Sequence, residues 1–237
     1  MTWPAESVLR FSAFRLWFWL RPEWWMAALS AMAWLSMILP LAGLGSHHAH
    51  DQCGQHDTLV GLVHWGSMVC AMMFPLLIGQ VRVIAARSLW SRRNRGIAIY
   101  LVGFLVPWLL YGLLAIRIMR YTPGSRSAIV ALIIAAVWQM TPWKEQGLRW
   151  CHRTDILAPA GWRADADCFN SGRRAACGCL LSCWAVMLPC AMSGAIWMMP
   201  VLSLFGFAER SRHGIKPLSF VWLLVVAGVL ALHTKLF

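Results

Sequence analysis

Residues 45–57, GSHHAHDQCGQHD, gather His47, His48, His50 and His56 with Cys53, Asp51 and Asp57, and hold none of the chain's 21 Lys and Arg. Neutral imidazole, thiolate and carboxylate are the donors that bind transition metals. With no fixed positive charge among them, an arriving cation meets no local repulsion. The spacing matches no closed zinc site, so the stretch reads as a loose capture site. It reads equally as a solvated polar loop.

Two further groups fall within apolar sequence. His64, Met68 and Met72 are spaced by four, drift by about 80° in total on a helical wheel, and so share one face. Cys179, Cys183, Met187 and Cys190 fall within about 80° of one another and would form a sulfur stripe. Thioether, thiolate and imidazole are soft or borderline ligands suited to Cu(I). Met and buried Cys are also ordinary core fillers, and packing alone would explain either stripe. His64 favours a site, because an ionisable group inside a membrane span is a functional hypothesis by default. Gln139 needs a hydrogen-bond partner between helices, and Pro142 ends a helix close behind it. Cys151, His152 and Cys168 fall in a polar stretch and read as release ligands or as incidental.

The elements that must position these residues follow from composition. The chain has 237 residues, of which 59% are hydrophobic and 13% charged. Its mean hydropathy is +0.60. Soluble domains carry about 25% charged residues, so the apolar excess must face lipid. The net charge of +12 alone would suit nucleic acid, but the hydropathy decides for a membrane and against nucleic acid. The 16 Trp fit the headgroup interface. A span needs about 20 apolar residues, and candidate spans are 24–44, 59–81, 97–116, 127–143, 175–199 and 218–236. The fifth is expected as one helix kinked at Pro189, with an interfacial extension to about Ala208. Residues 1–23 read as an interfacial segment and 24–237 as a single transmembrane domain. No cleavable signal is evident.

Most Lys and Arg fall in the segments that an inside N-terminus would leave inside, as orientation by basic residues requires. The expectation is an all-α, polytopic membrane helix bundle of six spans with a cytoplasmic N-terminus. The long inner loop would run over 144–174, and the His-rich loop would face outward. No acidic residue falls deep in a proposed span, which argues against a proton-coupled carrier of hard cations. There is no phosphate-binding glycine loop and no nucleophile elbow, and no enzymatic activity is expected.

Three motifs in order carry a family resemblance over about residues 60–210. Trp65, Met68, Ala71, Met72, Met73 and Pro75 match W-x-x-M-x-x-A-M-M-x-P. Gln139, Thr141, Pro142 and Lys144 match Q-x-T-P-x-K, followed by Leu148 and Cys151. Cys179, Cys183, Trp184 and Met187 match C-x-G-C-C-W-x-L-M. The chain resembles a bacterial family of predicted metal-binding integral membrane proteins, a domain of unknown function. It departs from the family pattern at Gly147, where a Cys is usual, and at Leu181, Ser182 and Val186.

The resemblance implies a multi-pass protein of the bacterial inner membrane. With the soft donors, it points to binding of a soft transition metal, copper before others, for transport or for delivery to a cuproenzyme. The implied partners are the bilayer, the metal ion, and a metallochaperone or membrane cuproenzyme. A membrane thiol-disulfide oxidoreductase using Cys179 and Cys183, or a structural subunit of a membrane complex, are the alternatives.

Overall fold

A computed structural model describes residues 24–39, 58–121, 125–151, 158, 160–193, 198–211, 221–226 and 228. Among these, every regular element is a helix. They are α1 (Trp24–Ile38), α2 (Thr58–Arg87), a short 3-10 turn (Trp90–Arg92), α3 (Arg93–Tyr121), α4 (Ser125–Gln139), α5 (Pro142–Cys151), α6 (Gly161–Ser193) and α7 (Met198–Ser211). Residues 221–226 are also helical. The proposed segment 1–23 lies outside the described residues.

Three helices are long and apolar enough to cross a membrane, or four if the bent pair α4–α5 forms one span. The helices α1 and Met198–Ala208 are apolar but shorter. The outward-facing side chains of α2, α3 and α4 include Leu59, Val63, Leu110, Leu114, Ile134 and Val137, all exposed. An apolar exterior of this extent suits lipid contact rather than water.

One expectation is corrected. Residues 144–174 are not an inner loop: α5 occupies part of this range, and α6 reaches back to Gly161. The early turns of α6 are polar yet amphipathic. They bury Ala164, Cys168 and Ser171, while Asp165 pairs with Arg92 at 2.6 Å and Arg95 at 2.7 Å. The fifth run falls in α6, which contains Pro189, and in α7, while 194–197 lie outside the described residues.

The bundle is organised around α6, which packs against α3, α4 and α5. Small residues let the backbones close. A Cβ on Gly103 would collide with the Phe169 carbonyl, and one on Gly172 with the Tyr100 carbonyl. Such close approach is the usual basis of helix association where burial from water gives no drive. Helix α2 packs on α3 through Trp65, whose Nε1 donates to the Trp108 carbonyl at 3.0 Å. It packs on α1 through an arrangement that Pro75 explains. Proline has no N–H for the carbonyl four residues back, here that of Ala71. Ser30 Oγ and Trp34 Nε1 donate to this oxygen instead, at 3.1 and 3.0 Å. Indole from α4 does similar work on α6: Trp138 Nε1 donates to the Leu181 carbonyl at 3.0 Å.

The chain turns by 79° between α4 and α5. Thr141 ties this corner locally, its Oγ1 donating to the Trp138 carbonyl at 2.7 Å. Pro142 then stands at the first position of α5, where its missing N–H costs nothing. This corner lays α5 across α6 and brings Cys151 to the bundle interior.

Candidate metal centre

Sulfur converges where α2, α5 and α6 meet. Met73 is buried on α2, Cys151 ends α5, and Cys179 is buried on α6. The Cys179 thiol lies 3.5 Å from Met73 Sδ. It also interacts with the thiols of Cys151 and Cys183. Cys183 stands one helical turn along α6 and is half-buried. Cys179 is therefore the centre of a group of three thiols and one thioether drawn from three helices.

Each donor is held in place. A Cβ on Gly147 would lie 2.9 Å from the Gly178 carbonyl oxygen, and one on Gly178 would lie 3.0 Å from the Cys151 amide nitrogen. This glycine pair seats α5 directly on α6, so Cys151 can reach Cys179. The Cys151 carbonyl, at a helix C-terminus with no partner in its own helix, accepts a hydrogen bond from Gln80 Nε2. Tyr100 fixes that amide in turn, its OH donating to Gln80 Oε1 at 2.6 Å. Ser182 Oγ donates to the Cys179 carbonyl at 2.9 Å and lies 3.4 Å from Cys183 Sγ.

Beside the cluster lies a small, partly open pocket of about 20 Å³. Met72, Met73, Cys183 and Met187 supply its sulfur, and Leu202, Ser203 and Phe205 of α7 form part of its wall. Lys144 is buried on α5, with its ammonium 5.7 Å from the Phe205 ring centroid.

The expected site residues are thus distributed as follows. Cys179 and Cys183 meet, and Met72, Cys183 and Met187 share the pocket. Cys190 is buried but does not line the pocket. Met68 is fully buried in the hydrophobic core and does not line it either, while His64 is exposed on α2. The meeting of Cys179 with α2 is made by Met73, not by the His64–Met68 face. His47, His48, His50, Cys53 and His56 lie outside the described residues, as does His152. Met73 and Cys151 were absent from both stripes. The signal for them was their place in the first two family motifs.

The donor chemistry is selective. Among the described residues, no group of three or more His, Cys, Asp or Glu is arranged to hold a metal ion. Contacts through Cys179 therefore join the three thiols in series rather than around one centre. A ready four-ligand zinc cage is not present among them, and structural zinc requires one. Soft thiolate and thioether donors select Cu(I). Two thiols with a neighbouring thioether fit that chemistry.

A family model decides the class. This chain belongs to the PpoB2 copper-chaperone family, whose model matches residues 62–233. The PpoB2 match spans α2 to the helical residues beyond α7 and contains Met73, Cys151, Cys179 and Cys183. It begins after the His-rich stretch. The expectation of a metal-binding family is thus met by one described by copper. No curated protein and no solved structure matches the chain.

Proposed function

We propose that this chain is a membrane-embedded copper chaperone. It holds Cu(I) at the Cys179-centred cluster and delivers it to a cuproenzyme. The observation that carries the reading is the 3.5 Å approach of Cys179 Sγ to Met73 Sδ, with the thiols of Cys151 and Cys183 each interacting with Cys179. Binding deprotonates a thiol, and the resulting thiolate neutralises the monovalent ion in a low-dielectric site. Cys151 and Cys179 come from different helices, so one small relative movement of α5 and α6 changes the coordination of the ion. That suits delivery, which requires release as well as capture. The histidines of 45–57 would collect ions at the outer face of the bacterial inner membrane, with both termini inside.

The test is copper analysis of detergent-purified protein beside a Cys179→Ser/Cys183→Ser variant. The account expects bound Cu(I) in the first and its loss in the second; equal, near-zero copper in both would refute it. The contact between Cys151 and Cys179 also supports a second reading, a thiol oxidoreductase. Thiol trapping separates the two, since a redox pair would be recovered oxidised after exposure to oxidant while a copper chaperone's metal-free thiols stay functional only when reduced.

A further inference from the structure

We infer that the pocket between α2, α6 and α7 is a second, thioether-rich station for Cu(I), through which the ion leaves the Cys179 cluster. The inference rests on the copper reading above and adds a second site, which shares Met73 and Cys183 with the first and brings in Met72 and Met187. Met72, Met73 and Met187 line the pocket with Cys183. Three methionines and a cysteine around one small pocket bring four soft-donor side chains to a single place. The wall also contains Ser203, whose Oγ is buried and has no hydrogen-bond partner. A buried hydroxyl left without a partner is unfavourable, and a guest in the pocket would relieve it.

Cys183 connects the stations. It interacts with Cys179 on one side and lines the pocket on the other. The ion can therefore move by ligand substitution without being set free. Cys183 Sγ forms a bond to copper as the bond to Cys151 breaks, and the proton leaving Cys183 goes to the departing thiolate. Met72 or Met187 then bonds as Cys179 leaves, its thiolate taking a proton from solvent. Copper stays Cu(I) throughout. Thioethers are neutral and bind more weakly than thiolates, so the pocket is the releasing end. Its α7 wall, with Leu202 and Phe205, is the side from which an acceptor takes the ion.

The experiment uses the full chain in detergent, titrated with Cu(I) against a colorimetric Cu(I) chelator. The wild type should take up a tight first equivalent and a weaker second. Met72→Leu/Met187→Leu, which conserves volume, should keep the first and lose the second. Its transfer of copper to excess chelator should slow about tenfold, equivalent to about 1.4 kcal/mol in the barrier. Retention of the second equivalent and of the wild-type transfer rate would overturn the proposal. Cys179→Ser should show the reverse pattern, losing the tight equivalent first. A wild type that binds no Cu(I) overturns the copper reading itself, and a Met variant with normal binding overturns only the second station. If the double variant aggregates, Met187→Leu alone reads the same two quantities.

Discussion

The seat of α5 on α6 gives a sharp quantitative expectation. In Gly147→Ala the new Cβ would stand 2.9 Å from the Gly178 oxygen, 3.0 Å from the Ser182 nitrogen and 3.2 Å from Leu181 Cβ. Ordinary contact begins near 3.4 Å, so the helices must part by roughly half an ångström. Two of the three obstacles are backbone atoms, which cannot rotate away. Overpacking of this kind costs about 1–3 kcal/mol. The better helix propensity of Ala returns about 1 kcal/mol, leaving a net loss of about 0–2 kcal/mol. Gly79, in α2, is the internal control, because a Cβ there meets nothing within 4 Å. Gly79→Ala should be neutral or stabilising by up to about 1 kcal/mol. Thermal unfolding in detergent reads both variants, at about 2–4 °C per kcal/mol for a chain of this size. Because α5 carries Cys151, Gly147→Ala should also weaken Cu(I) binding in chelator competition, whereas Gly79→Ala should not. If both alanines are equally tolerated, the close crossing does not position the cluster.

Three other outcomes follow from the same geometry. Ser182→Cys places a thiol where the hydroxyl now lies 3.4 Å from Cys183 Sγ, and should tighten Cu(I) about tenfold, or about 1.4 kcal/mol, in the same competition assay. Tyr100→Phe removes the donor held 2.6 Å from Gln80 Oε1; it should cost about 1–3 kcal/mol in thermal unfolding and loosen Cys151 enough to lower copper affinity. Asp165→Asn breaks the pairing with Arg92 and Arg95, but at a partly exposed site should cost under about 1 kcal/mol, less still at high salt, with copper uptake unchanged.

The helical class and the apolar segments could be read from the sequence because hydropathy over a long window reports directly on what a segment faces. Their ends could not. The first turns of α6 are too polar for a hydropathy window, yet Ala164, Cys168 and Ser171 are buried there, and Asp165 is held by two arginines. Helical periodicity found Cys179, Cys183 and Met187 together because they share one helix. On α2 it grouped His64, Met68 and Met72, while packing rotates that helix to present Met73 to Cys179. Adjacent residues on a helix point about 100° apart, so Met73 and Met72 cannot be separated without knowing that rotation. Cys151 was hidden for a different reason. Its role depends on the 79° corner between α4 and α5 and on the Gly147–Gly178 approach, which are tertiary features. The glycine at 147, where the family resemblance leads one to expect a Cys, makes physical sense here, since the crossing leaves no room for any side chain.

The most direct test is X-ray absorption at the copper edge on the Cu(I)-loaded chain, compared with Cys179→Ser. The account predicts a first shell of sulfur alone in the wild type and its loss or depletion in the variant. A shell of nitrogen or oxygen, or a sulfur shell indifferent to Cys179, would contradict it.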